Sequence, residues 1–525
     1  MRVGKLAVLG ITALGLALAG PQDNSLIIGA SQEPRVLAGD FLSVISNQAI
    51  KSEIENYLFA PLIVFNADAE NQAVMVTEVP TLQNKRLRVT DIGGGKKRIE
   101  MDLTLRQDLK WSDGKPITTE DIAFYYEVGK AKGMPVLNPD YWERVKLTVK
   151  DRYNFTVTFE PAYYYDTYGS PIGYAPKHIM GPEWEKVKAQ AAKLDPDKDA
   201  EKLNELYRGF FLKFSTPQAL NRGAMVYSGP FRLSRWVPGN SIEMVRNPNF
   251  HIIPQGGADK YVQKVAYRFI QNTNSLLVAV IGGGIDATSG VSLTFDQARS
   301  RQLTFRAPGR FDIWFVPGAI WEHIDINKFS NCQTVKDLGL DDPRTRQALL
   351  YAMNREGLVK AFFDGLQPVA HTWIAPVNPL HNPNLKKYPY DPKKAEELLA
   401  QMGWRKGPDG ILQRTVGGRT VRFEIEYVTT AGNAIRERTQ QFFAENLKQV
   451  GIAIKINNAP SAVVFADDFI QRASECKWTG MFEFAWVSSL AEDGSLFQYK
   501  NLNTGAVMVP TKENNYQGQN IGGTG

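Results

Sequence analysis

Two cysteines and five histidines are a thin supply, in 525 residues, of the side chains that most often build metal centres. His178, His251, His323, His371 and His381 stand far apart with no ligand spacing, so no metal site is expected. The phosphate-cradling pattern G-x-x-x-x-G-K-[ST] is missing. Gly282-Gly283-Gly284 follows an apolar stretch but lacks the lysine and serine that such a loop needs. There is no G-x-S-x-G elbow and no H-E-x-x-H, and no Cys/His constellation for nucleophilic chemistry can be assembled. No catalytic residue and no cofactor is assigned. Asp341-Asp342 reads as a helix cap and Asp467-Asp468 as a solvated turn. A glycosidase pair of carboxylates is assembled only by the fold, so a secreted hydrolase stays as the alternative from another class.

Charge of one sign is also scarce. Lys+Arg number 61 against 55 Asp+Glu, a net +6 that is dispersed along the chain, which excludes the clustered basic surface of a nucleic-acid binder. A charged fraction of 22% with 43% hydrophobic residues describes a soluble globular protein of two to four units. No Pro/Gly/Ser-rich tether, repeat or low-complexity tract divides it.

Long apolar runs are confined to the first residues. Arg2 and Lys5 form a basic head, Leu6 to Leu18 is apolar, and Ala17-Leu18-Ala19 offers small residues for cleavage. Residues 1–19 therefore read as a secretory signal peptide, too short for a membrane span. No Cys follows the run, so no lipid anchor is expected, and the chain should be exported and free in the periplasm.

Elsewhere helix and strand signals alternate. Thr118 caps a helix with Asp121 three residues on, and Ile117 and Ile122 take the staple positions. Asp342-Pro343 and Asp391-Pro392 each open a helix with a cap and a first-turn proline. The first turns Ala348, Leu349, Ala352 and Met353 inward; the second turns Ala395, Leu398, Leu399 and Met402, and stops at Gly403. From Arg422 to Asn457 the pattern is strand, helix, strand, a βαβ-like unit that favours an α/β architecture. Cys332 follows a predicted strand, His323–Asn327, and Cys476 precedes another, Met481–Trp486. If the two strands pair antiparallel the sulfurs meet; otherwise they are two buried thiols.

The stretch Leu103-Thr-Leu-Arg-Gln-Asp-Leu-Lys-Trp-Ser-Asp-Gly-Lys-Pro-Ile-Thr-Thr-Glu-Asp-Ile122 resembles the family 5 extracellular solute-binding proteins of ABC importers, the oligopeptide- and dipeptide-binding group. Further stretches agree in order: Ala175-Pro-Lys-His-Ile179, Ser228-Gly-Pro-Phe-Arg-Leu233, Trp236-Val-Pro-Gly239 and Arg246-Asn-Pro-Asn249. Gly284-Ile-Asp286, Asp342-Pro-Arg-Thr-Arg-Gln-Ala-Leu349, Asn354-Arg-Glu356 and Tyr390-Asp-Pro-Lys-Lys-Ala395 follow. These residues read physically as scaffold: Trp111, Asp113, Gly114 and Pro116 make a turn before a capped helix.

The resemblance implies an α/β protein with the two-lobed periplasmic-binding-protein fold, type II, of the large cluster with an extra subdomain, its lobes joined by crossing strands. Lobe I is expected over 20–307, with the subdomain at about 50–165, and lobe II over 308–490. The implied role is a monomer that shuts around a peptide or peptide-like solute and delivers it to an ABC permease with its ATPase subunits. An oligosaccharide is the alternative ligand.

In peptide-binding members a Trp-x-x-Asp at a strand end sets an aspartate against the peptide ammonium. Phe482-Glu-Phe-Ala-Trp-Val-Ser-Ser489 matches it at Trp486, but Ser489 stands where the aspartate belongs, and a serine lacks the charge. Glu492 or Asp493 are the residues that would replace it. Trp321, Trp373, Asn47 and Gln48 complete the expected ligand contacts, with Trp314 a weaker candidate; Tyr163-Tyr164-Tyr165 and Tyr168 read as packing or rim. Residues 491–525 form a polar, Gly-rich tail without periodicity, expected to be an interrupted loop at a truncated C-terminus.

Overall fold

The strands predicted from alternating apolar residues gather into two principal sheets, each with its own apolar core. The computed structural model describes residues 24–65, 70–167, 169–299, 320–376, 381–487 and 509–523, without 515, 517 and 519. The expected signal peptide, Trp314, Ser489, Glu492 and Asp493 lie outside the described residues. No helix among the described residues is long and apolar enough to cross a membrane.

In chain order the first lobe carries β1 (Ser25–Ala30), β2 (Ile63–Phe65), β3 (Asn71–Ala73), β4 (Leu87–Gly93), β5 (Lys96–Thr104), β6 (Val145–Val149), β7 (Asn154–Ala162), β8 (Phe231–Val237), β9 (Ser241–Arg246), β10 (Lys264–Phe269) and β11 (Ala287–Thr288). Its main sheet has the order β11-β1-β10-β9-β8. β1 is flanked by parallel partners on both sides, β10 and β11, and β9 and β8 turn back antiparallel. The run Ile27-Ile28-Gly29-Ala30 is buried throughout, as a strand covered on both faces must be. β4 to β7 make a separate antiparallel sheet in the order β4-β5-β7-β6, inside the segment expected to hold the extra subdomain. There Ile99, Met101, Leu103, Phe155, Val157 and Phe159 face inward.

The helix Thr119–Gly129 starts where its cap predicts. Thr118 Oγ1 accepts from the Glu120 N–H at 3.3 Å, and the Thr118 N–H donates to Asp121 Oδ2 at 3.0 Å. Trp111 is fully buried before it, and Gly114 takes a positive φ of 88° in the turn between them.

The second lobe carries β12 (Ile320–Ile326), β13 (Arg405–Lys406), β14 (Leu412–Val416), β15 (Arg419–Arg422), β16 (Glu424–Val428), β17 (Ala453–Ile456) and β18 (Met481–Val487). Its main sheet is ordered β12-β18-β16-β17. β16, the helix Ala434–Gln449 and β17 form the expected parallel crossover, and β18 runs parallel to β16 on its other side. The helices Pro343–Ala352 and Pro392–Gln401 open on Asp342 and Asp391, whose carboxylates accept from the Arg344 N–H (2.8 Å) and the Lys394 N–H (3.0 Å). Ala348, Leu349, Ala352, Ala395 and Leu399 are fully buried between them.

β12 and β18 pair antiparallel, so the end of one meets the start of the other, and Cys332 and Cys476 are joined in a disulfide with Cα atoms 5.5 Å apart. Asn327, fully buried beside it, donates from its amide to the carbonyls of Ala473 (3.0 Å) and Trp478 (2.6 Å).

The tail differs from its reading as a bare loop. Ile521 is fully buried in the second lobe's core, and the Lys328 N–H donates to Gly522 O at 3.1 Å. Its packing is non-local, which is why its own sequence shows no period.

Candidate functional site

Parallel strands point their carboxyl ends to one side, and in open α/β sheets ligands bind in the crevice outside those ends. In the first lobe these are the ends of β1, β10 and β11; in the second, those of β16, β17 and β18. The two sets meet head to head. The Thr273 N–H, just past β10, donates to Gly432 O at 3.1 Å, just past β16, and the Ala434 N–H donates back to Thr273 Oγ1 at 3.3 Å. A Cβ on Gly432, which has a φ of 82°, would lie 2.9 Å from Gln271 O. The space bounded by these loops is the candidate site.

Its first-lobe wall is the segment 31–48 after β1. The Ser31 N–H and hydroxyl both donate to Val291 O, at 2.9 and 3.0 Å. The Asp40 carboxylate accepts from the Ile45 and Ser46 N–H groups at 3.1 Å each, while Lys51 Nζ donates to Asp40 O (3.0 Å) and pairs with Glu55 (3.0 Å). Burial, its largest influence, pushes the Asp40 carboxyl up to about 6 against the pull of Lys51. Asn47 is exposed. Gln48 is buried, and its Oε1 accepts from the Arg35 N–H (2.8 Å) and the Ser46 hydroxyl (2.9 Å), so this carbonyl holds the loop in place.

The second-lobe wall starts at the end of the β12–β18 pair. Trp321 stands opposite Trp486, and His323 opposite Phe484. Ring centroids lie 4.2 Å apart for Trp321–His323, 4.4 Å for His323–Phe484 and 5.2 Å for Phe484–Trp486, a continuous aromatic ladder. Burial pulls His323 down to about 3, so the imidazole is neutral. The Trp486 indole N–H is buried and has no hydrogen-bond partner among the described residues. Trp373 is half-buried. Tyr163 packs over Arg144 at 4.4 Å in the subdomain.

On the opposite face of this sheet Arg436 is bidentate to Glu322, at 2.8 and 3.1 Å, and donates to Thr430 Oγ1 at 2.9 Å. The Tyr427 hydroxyl donates to Glu483 Oε2 at 2.8 Å. Burial first, and then the charge of Glu322, raise the Glu483 carboxyl to about 8.

Asp467-Asp468, read as a solvated turn, opens the short helix Asp467–Ile470, and only Asp468, 64% exposed, is solvated. Asp468 pairs with Arg35 at 2.9 Å, and Asp467, with its side chain only 13% exposed, pairs with Arg208. Both arginines belong to the first lobe. Burial pushes Asp467 up to about 7 against the opposing pull of Arg208. The pairing escaped sequence reading because Arg208 and Asp467 are 259 positions apart and no local signal joins them. Among the described residues no group of three His, Cys, Asp or Glu is placed to hold a metal ion.

Residues 99–506 match the family described as bacterial extracellular solute-binding proteins, family 5 Middle. The oligopeptide binding protein from Thermus thermophilus, solved in complex with a pentapeptide, is 84% identical with a TM-score of 0.94, over 96% of this chain and 84% of that one. The oligopeptide-binding protein AppA of Bacillus subtilis (strain 168) is 24% identical over 455 residues, 83% of this chain and 69% of its own length. The periplasmic binding protein MelB from Agrobacterium fabrum C58, solved with stachyose, shares the fold at 18% identity and a TM-score of 0.64, over 89% of this chain and 67% of that one. The chain spans 69% of the length of AppA and 49% of that of the glutathione-binding protein GsiB of Salmonella paratyphi A.

Proposed function

The chain belongs to the bacterial extracellular solute-binding proteins, family 5, and on that premise we propose that it captures an oligopeptide between its lobes and delivers it unaltered to an ABC importer. The observation that carries this reading is the head-to-head meeting of the carboxyl ends of two parallel sheets, with the Trp321–Trp486 pair on one wall. The pentapeptide held by the 84%-identical Thermus protein supports the ligand class.

Closure follows from differential affinity: solute contacts made by both lobes exist only in the shut form, so binding shifts the population toward it. Trp486, Trp321, Trp373 and Asn47 are the proposed contacts, with Ser489, Glu492 or Asp493 receiving the peptide's ammonium group. Gln48 acts behind them by fixing the loop that carries Arg35. The remaining parts of the reading are an exported, periplasmic monomer, the lobe boundaries expected from the resemblance, and a permease with its ATPase subunits as partner. No bond in the solute is broken.

Mass spectrometry of solute co-purifying with the protein, with thermal-shift titrations of pentapeptides against stachyose, tests this. The expected outcome is an intact peptide in the cleft and a melting temperature raised by peptides alone. Stabilisation by stachyose without peptides would replace the ligand class, and recovery of cleaved peptide would replace binding by hydrolysis.

A further inference from the structure

The short helix Asp467–Ile470 belongs to the second lobe, where Phe469 packs on Phe482 at 6.1 Å. Its first two side chains leave that lobe and reach the first. Arg208, on the helix Ala200–Ser215, meets Asp467, and Arg35, in the loop after β1, meets Asp468. The first-lobe side is rigid in its own right. Arg208 Nη1 also donates to Val44 O at 3.2 Å, Gln48 holds the Arg35 backbone, and Gly39 presses so closely on the helix that a Cβ would lie 2.5 Å from Phe214 O.

The charge count at this contact changes as the lobes meet. Asp467 faces Arg208, Arg35 and Asp40, with Lys51 and Glu55 behind Asp40 and Asp468 beside it on its own helix. On the first lobe alone, Arg35, Arg208 and Lys51 outnumber Asp40 and Glu55. Closing adds Asp467 and Asp468, and the carboxylates then outnumber the cations. Asp468, 64% exposed, stays in water with Arg35, but among the buried groups Asp40, Glu55 and Asp467 outnumber Lys51 and Arg208, so the excess negative charge is removed from water. Burying an ionised carboxylate beside another costs more than one arginine returns, and a proton relieves it.

We propose that the contact of Asp467 with Arg208, flanked by Asp468 with Arg35, is a proton-linked latch that holds part of the population shut without solute and closes more readily as the pH falls. The latch touches no solute, so it scales the apparent affinity for every solute by one factor, the closed fraction. Burial pushes Asp467 up to about 7, which puts the change near neutral pH. The inference rests on the two-lobed capture reading for its effect on affinity, but not for its effect on closure.

Two measurements test it. The native cysteines are bonded to each other, so thiol dyes can be placed selectively at Lys198→Cys and Lys406→Cys, one exposed site on each lobe. Fluorescence transfer in the solute-free protein should show a closed fraction larger at pH 6 than at pH 8. Asp467→Asn, which carries the neutral form permanently, should hold the acid value at both. A closed fraction equal at the two pH values, or a pH response unchanged in Asp467→Asn, overturns the latch whether or not any peptide binds. With pentapeptides, affinity should tighten by up to about tenfold per pH unit across this window. That gain should be common to all peptides and lost in Asp467→Asn. Gains that differ between peptides, or persist in the variant, also overturn it.

Discussion

Trp321 and Trp486 stand directly opposite each other across the antiparallel pair of β12 and β18, at the end of the sheet that faces the first lobe. A strand pair sets such neighbours about 5 Å apart at Cβ, so the two indoles present one surface. Trp486 is anchored from behind by Phe484 at 5.2 Å, and Trp321 by His323 at 4.2 Å. Replacing Trp486 by alanine should weaken peptide binding at least tenfold, about 1.4 kcal/mol, with the fold retained. Calorimetric titration checks this, and unchanged affinity would remove the pair from the site.

The disulfide between Cys332 and Cys476 closes a loop of 144 residues across the second lobe. Replacing both cysteines by serine should cost about 2–5 kcal/mol. Asn327 and the β12–β18 ladder remain to hold the two strand ends together. Urea unfolding of the double variant measures the loss; a midpoint like that of the natural protein would show the crosslink to be dispensable.

What was legible in the sequence was what local chemistry decides. The caps at Thr118, Asp342 and Asp391 and the βαβ unit from Arg422 to Asn457 each depend on residues close in the chain, whereas the antiparallel pairing behind the disulfide was one of two open outcomes. Asp467-Asp468 looked like a solvated turn because adjacent acidic residues usually are one. Asp467 is buried against Arg208 while Asp468 stays exposed beside Arg35, and both arginines are far away in sequence. Gln48 was expected among the ligand contacts, but sequence could not show that its carbonyl is occupied by the Arg35 backbone. Ile521 was lost in a polar tail for the same reason: its apolar partners lie in another part of the chain.

Thr118 offers a local test of the scaffold. Its hydroxyl accepts from the Glu120 N–H at the start of the helix Thr119–Gly129. Thr118→Ala should cost about 1 kcal/mol, seen as a lower melting temperature without any change in solute affinity, because the lost hydrogen bond is in the helix's first turn and not at Phe124 and Tyr125, which touch Phe41 of the first-lobe wall.

Gly480 lies where β18 begins, and a Cβ there would sit 2.1 Å from the Glu426 carbonyl oxygen. The neighbouring Thr479 N–H donates to the Glu426 carboxylate at 2.8 Å, so the two strands are drawn together at that point. Gly480→Ala must push β18 from β16 and should destabilise the second lobe by at least about 2 kcal/mol. Chemical denaturation reads this directly, and hydrogen exchange should localise the loosening to β16 and β18.

Glu483 sets a second pH dependence, in stability rather than closure. Its carboxyl is buried beneath the helix Ala434–Gln449, accepts from the Tyr427 hydroxyl, and is raised from 4.5 to about 8 by burial and then by Glu322. The folded protein therefore keeps a proton that the unfolded chain releases above its ordinary value. Between those two limits the folded state binds more protons, so its stability falls as the pH rises toward about 8 and levels off beyond. Arg436 moderates the effect but is already bidentate to Glu322, and one guanidinium does not neutralise two carboxylates. Melting temperatures measured at pH 6 and pH 9 should drop in the natural protein and drop less in Glu483→Gln, which keeps an acceptor for Tyr427 and has no proton to lose. An equal drop in both would assign the pH dependence to other groups and leave Glu483 ionised within the sheet.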